Sequence, residues 1–154
     1  MKIIGENGLG KLLKIILIVG IIIGIPVIVV IPFLFNHTTN IVYSMFVIYP
    51  NGLLMLGIAY QFVKPFKSLE ENKPFSYENV KIMKVTGIIS IIMSVLWLID
   101  LLLMVFLIHN THINYIIVLL FLSVLFFGVS IALYILSELL RQATDYKNEN
   151  DLTI

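Results

Sequence analysis

Asp100 offers the most chemistry in this sequence. It stands inside Val85 to Ile108, a run that is otherwise uncharged and largely apolar. A carboxylate at the centre of a bilayer costs about 2.5–3.5 kcal/mol on insertion scales. A group kept at that cost is either a proton or cation site or one half of a buried hydrogen bond. Candidate partners are Asn51 and Tyr49 in a neighbouring run. Ser90 and Ser94 lie four apart, so both fall on one face of a helix, where they could meet a partner helix. No Lys or Arg lies in any apolar run, which excludes an ion pair there. His37, His109 and His112 fall between the runs. Together they would give three nitrogens to a divalent metal or a pH sensor, but the segments that hold them carry no carboxylate, and ordinary loop histidines are the simpler reading. No nucleophile–base pair is present, and with no Cys there is no thiolate chemistry. Gly5 to Gly10 has neither a preceding strand nor a following Lys-Ser/Thr, so it is no phosphate loop. Catalysis, a bound metal and a cofactor are therefore not expected.

The elements that must position these residues follow from composition. The chain has 154 residues, of which 60% are hydrophobic and 12% charged, against about 25% charged in soluble domains. Mean hydropathy is +1.05. Too few polar residues remain to cover a soluble domain, which excludes a soluble enzyme, a free nucleic-acid binder and a disordered chain. Four apolar runs, 15–35, 41–63, 85–108 and 115–137, are 21 to 24 residues long. A hydrocarbon core of about 30 Å needs about 20 helical residues. None of the runs alternates as barrel strands would. The expected fold is all-α: a single polytopic membrane domain over 1–154, with four transmembrane helices arranged as two antiparallel hairpins. The first run is longer than a signal-peptide core and no small-residue cleavage site follows it, so it reads as a retained helix.

Charge sets the expected direction. All ten Lys and Arg fall before residue 15, within 64–84 or after 137, and the segments 36–40 and 109–114 have none. Basic residues stay on the cytoplasmic side, which places both termini, the loop 64–84 and the tail 138–154 in the cytoplasm. Heavy use of Ile, Asn and Lys with only three Ala suggests an AT-rich bacterial genome, hence a bacterial cytoplasmic membrane. The outer connections are short enough to force antiparallel hairpins. Their sequences echo each other, so an internal duplication is an open reading.

Local signals refine this outline. Gly20 and Gly24 have the spacing that lets helix backbones approach, here within the bundle. Pro26 and Pro32 should kink the first helix, and Pro50-Asn51-Gly52 should break or kink the second. Pro74 stops the second helix, and Ser76 caps a third that runs from Tyr77 to Ile108. The last helix is expected to continue through Gln142 and to give way to an extended end, Leu152 to Ile154. The loop residues Pro74, Phe75, Glu78 and Asn79, and the tail residues Glu149, Asn150, Asp151, Leu152 and Ile154, are the candidates for binding a soluble partner.

Four runs, the segment Pro74-Phe-x-x-Glu-Asn79 and the stretch Glu149-Asn-Asp-Leu-Thr-Ile154 resemble the bacterial membrane family known as domain of unknown function 2975. The resemblance covers nearly the whole chain. One departure is Lys73, where family members often carry Gly, and it bears on the tight turn before Pro74. No activity is implied. What the resemblance implies is a bacterial membrane protein, with a small helix-turn-helix regulator as a plausible soluble partner and no direct contact with nucleic acid. Three functions compete: a regulatory or interaction protein, a small transporter or channel that uses Asp100 as a homo-oligomer, and immunity to a membrane-active toxin or peptide.

Overall fold

The computed structural model describes residues 8–34, 41–71, 73–107 and 113–152. It holds four helices: α1 Leu9–Leu34, α2 Ile41–Glu70, α3 Tyr77–Leu107 and α4 Ile113–Leu152. Among the described residues there is no strand. All four helices are long and apolar enough to cross a membrane. The shortest, α1, has 26 residues, or about 39 Å at ~1.5 Å per residue. In lipid the backbone N–H and C=O groups find no outside partner, so each crossing segment must satisfy its own, which a helix does. The chain is an all-α, multi-pass membrane protein whose surroundings are the lipid bilayer.

The helices pack in chain order. α1 lies against α2, α2 against α3 and α3 against α4, and among the described residues no other pair of helix backbones comes close. α2 and α3 are thus the inner members of the bundle. Burial is inverted relative to a soluble protein. Among the described residues only three large apolar side chains are buried, Met93, Met104 and Leu133, against ten polar ones. Ile22, Phe46, Phe106 and Phe121 face outward. Lipid tails are as apolar as Leu, so apolar contact gives helices no reason to associate; close packing of small and polar residues does.

α1 begins at Leu9, before the apolar run, and Pro26 and Pro32 lie within it. The expected break in α2 and the expected course of the end of α4 need correction. α2 is unbroken through Pro50, Asn51 and Gly52, and runs past Val63 and through Pro65 to Glu70. Pro50 cannot supply the N–H due to the carbonyl one turn earlier, but the Asn51 side chain adds a donor to that turn: its Nδ2 lies 2.9 Å from the Val47 carbonyl oxygen. α4 runs on to where the extended end was expected to begin: Glu149, Asn150, Asp151 and Leu152 are all helical. No Gly or Pro interrupts 138–152. Arg141 also braces the helix, donating to Glu138 one turn before it and to Asp145 one turn after it.

The link between the hairpins is closed by its own hydrogen bonds. The Lys73 N–H reaches back to the Ser68 carbonyl at 2.8 Å, so the turn forms with Lys at this position. Ser76 accepts from the N–H of Asn79 at 3.2 Å, which is the expected cap of α3.

Candidate functional site

Asp100 and Asn51 meet. Asn51 lies ten residues into α2 and Asp100 seven residues before the end of α3, and the antiparallel pairing of α2 and α3 brings those depths together. The Asn51 Nδ2 donates to Asp100 Oδ2 at 2.7 Å. Both side chains are buried, at 4% and 7% exposure. The same Nδ2 holds the Val47 carbonyl, so both amide hydrogens are engaged. Asn51 Oδ1 and the indole Nε1 of Trp97, one turn before Asp100, are buried without a hydrogen-bond partner. An amide oxygen left in this state loses the hydration it would have in water, at about 1–3 kcal/mol.

Towards the charged ends of the helices the same α2–α3 seam carries further polar contacts. Thr86, fully buried, lies 3.1 Å from Gln61 Oε1 and donates to the Ile82 carbonyl at 2.7 Å. Beyond it, Ser68 donates to Asn79 Oδ1 at 3.4 Å and Lys64 pairs with Glu78 at 2.9 Å. Lys14 pairs with Glu70, tying the start of α1 to the end of α2.

The α3–α4 seam is built differently. Ser94 donates to the Ser123 carbonyl at 2.9 Å, and Ser123 donates back to the Ser94 carbonyl at 3.0 Å. Ser123 opens a series, Ser123, Ser130, Ser137 and Thr144, all buried and each seven residues from the last. A seven-residue period keeps small residues on one seam and matches helices that wrap left-handedly. A Cβ on Gly87 would stand 3.4 Å from the Ser130 carbonyl oxygen, so the two backbones run close there. Ser90, fully buried, donates to the Thr86 carbonyl on its own helix at 2.9 Å.

Next to the charged end, the candidate docking residues divide. Asn79 is buried, with its Nδ2 on the Pro74 carbonyl at 2.9 Å, so Pro74 and Asn79 close the loop upon itself. Phe75, Glu78, Glu149 and Asn150 are exposed. Tyr77 donates to Asp145 at 2.6 Å and joins the start of α3 to the extension of α4. These charges lie beyond the apolar stretches. The hydrogen bond from Lys64 holds Glu78 below the usual carboxylate range, and Arg141 pulls Glu138 down to about 2. Lys84 stands 5.9 Å over the ring of Tyr134.

His37, His109, His112 and Ile154 lie outside the described residues. Among the described residues no three His, Asp or Glu gather as a metal site would need. Sequence reasoning missed Gln61, Thr86, Trp97 and the Ser123–Thr144 series. The series has a plain signal in its repeat of seven.

No curated protein and no solved structure matches the chain. Residues 33–154 match a family described as Protein of unknown function (DUF2975). The match takes in α2, α3 and α4 and leaves out most of α1, less than the resemblance implied. Four membrane-crossing helices and that match together place the chain in the DUF2975 family.

Proposed function

We propose that this is a membrane-anchored regulatory or interaction protein of the bacterial cytoplasmic membrane. On this reading both termini and the 64–84 loop face the cytoplasm, where they hold a soluble partner such as a small helix-turn-helix regulator. The observation that carries the reading is the extension of α4. The helix continues 15 residues past Ser137, about 22 Å at ~1.5 Å per residue, which is far beyond what crossing requires. Its first part is braced by Tyr77 and Arg141, while residues 146–150 are exposed. A helix that served only to span the membrane would have no use for a braced, projecting arm.

The arm also has a chemical preference. Glu138, Asp145, Glu149 and Asp151 stand against Arg141 and Lys147, a net charge of −2. Exposed Phe75, Tyr77 and Tyr146 lie at the same end of the molecule. Acidic charge with aromatic contacts suits a basic partner, and charge complementarity speeds encounter and selects among partners. Nucleic acid itself, being acidic, is disfavoured.

The chain has no Cys, so single cysteines report position without background. Cys in place of Tyr146 and Lys73 should react with an impermeant thiol reagent only from the cytoplasmic side of membrane vesicles. A photo-crosslinker at Tyr146 or Glu149 should capture a small basic protein in native membranes, and one at the outward-facing Ile22 should not. Labelling from the outer face would reverse the orientation. The same adducts at Ile22 as at Tyr146 would remove the docking arm.

A further inference from the structure

At the basic end of the molecule some lysines are paired and others are left open. Lys14 pairs with Glu70, Lys64 with Glu78 and Lys67 with Glu71. Among the described residues no ion pair involves Lys81 or Lys84. Both are exposed. They stand three apart on α3, hence on one face of the helix. Glu138 on α4 feels the charge of Lys84, but Arg141 already holds both of its oxygens, at 2.6 and 3.0 Å.

The depth of the open pair follows from the sequence. Lys84 directly precedes the apolar run 85–108, so it marks the edge of the hydrocarbon. Lys81 lies about 4.5 Å further out at ~1.5 Å per residue. The headgroup layer is about 5–7 Å deep on each side of the hydrocarbon core, so both lysines fall at its level. Ile88 follows Lys84 by four residues and Ile91 by seven, which continues the same face into the apolar run. Both are exposed, so acyl chains cover them in a bilayer. α4 adds a tyrosine at this level, where its backbone nears Gly87. The exposed ring of Tyr134 lies 5.9 Å from Lys84 Nζ, within reach of a cation–π contact. It draws the Lys84 ammonium towards the α3–α4 groove. Tyrosine settles at headgroup level because its ring is apolar and its hydroxyl is not.

We propose that this end of the α3–α4 groove binds one anionic phospholipid, with its headgroup phosphate against Lys81 and Lys84 and its acyl chains along Ile88 and Ile91. Charge complementarity selects the occupant. An ammonium group binds phosphate as a point charge, and a zwitterionic headgroup brings a cation that the two lysines repel. The site lies at the membrane edge and the docking arm beyond it, so either can fail alone.

The full chain in a mild nonionic detergent is titrated with phosphatidylglycerol or with phosphatidylcholine of the same acyl chains. Native mass spectrometry counts the lipid retained. One phosphatidylglycerol per chain is expected, in preference to phosphatidylcholine. A lysine near an anionic surface is worth about fivefold in affinity. Lys81→Gln and Lys84→Gln should each cut the preference by about that factor, and Lys84→Arg should keep it. Lys11 is the control, an exposed lysine near the start of the apolar run on α1; Lys11→Gln should leave the preference unchanged. Equal retention of the two lipids by the wild-type chain overturns the proposal and needs no variant. A loss in Lys11→Gln as large as in Lys84→Gln overturns it too, because the attraction is then general surface charge. Inorganic phosphate that displaces the lipid at matched ionic strength assigns the groove to a soluble phosphate and overturns the lipid as its occupant. Helix content by circular dichroism shows that each variant is folded.

Discussion

The two hairpins solve one problem with different materials. α3 and α4 meet through serines: the reciprocal Ser94–Ser123 bonds, and Ser130 over Gly87. α1 and α2 meet through glycine and aliphatic side chains. Gly24 faces Leu56, and Gly52 lies under Ile28. At the charged end Gly10 faces Leu69 and the Phe66 carbonyl. In both, small residues let the helices approach, as association in lipid requires. The difference lies in what happens when the helices part. A glycine leaves nothing unsatisfied. A serine that bonds across the seam loses a partner where no water replaces it. Within the apolar stretches the α3–α4 pair is therefore fixed in register by hydrogen bonds and the α1–α2 pair by shape, with the Lys14–Glu70 ion pair added at the charged end.

The largest effect should come from putting bulk into the serine seam. Ser123→Leu removes the bond that the Ser123 hydroxyl donates to the Ser94 carbonyl, and drives a branched side chain into the seam where Ser94 reaches the carbonyl of residue 123. The expected loss is about 3 kcal/mol, from overpacking together with interhelical bonds worth about 0.6 kcal/mol each on average. Thermal unfolding in a mild detergent reads it. Gly20→Leu on α1 is the control, because a Cβ there meets nothing within 4 Å, and it should leave the midpoint nearly unchanged. Equal losses in the two variants would erase the distinction between the hairpins.

Much of this architecture is legible in the sequence, and what is not has physical reasons. Span number follows from apolar runs that match the bilayer in length. The meeting of Asn51 and Asp100 is legible because a lone carboxylate in hydrocarbon has few polar groups to choose from. The Ser123–Thr144 series is equally open to reading, but hydropathy counts serine as nearly neutral and hides its period. Contacts such as Thr86 with Gln61, or Tyr77 with Asp145, depend on how each helix is rotated about its axis, which no single helix encodes. Helix ends were misread where local signals conflict. Pro50 read as a break or a kink because a proline removes a helical hydrogen bond, and α2 runs through it unbroken. Leu152 read as extended because alternation over two residues outweighed the uninterrupted helical stretch before it, which runs on to Leu152.

A smaller effect is expected between the hairpins. The α2–α3 seam relies on scattered single contacts, so each weighs more than its own strength. Asn51→Leu removes the donor to Asp100 and to the Val47 carbonyl while keeping volume. The expected loss is about 1.5 kcal/mol, near the upper end measured for polar contacts within membranes. Gln61→Leu, further along the same seam, should cost about half as much, because Thr86 keeps its bond to the Ile82 carbonyl. If the two cost the same, Asn51 is an ordinary seam contact and the depth of Asp100 adds nothing.

The smallest effect tests the claim that the first hairpin is held by shape. A Cβ on Gly52 would fall 2.8 Å from Ile28 Cδ1 and Cγ1, closer than real Cβ contacts allow. Ile28 is stiff at χ1, so it cannot simply swing away. Gly52→Ala should therefore destabilise, but by no more than about 1 kcal/mol, because the better helix propensity of Ala offsets part of the clash. Ile28→Ala opens the room that Gly52→Ala needs. If shape holds this stretch of the pair, the double variant should be more stable than the sum of the singles predicts, by about 0.5–1 kcal/mol in a double-mutant cycle. Strict additivity would mean that α1 adapts its position along α2 without cost, and that the first hairpin has no fixed register to contrast with the second.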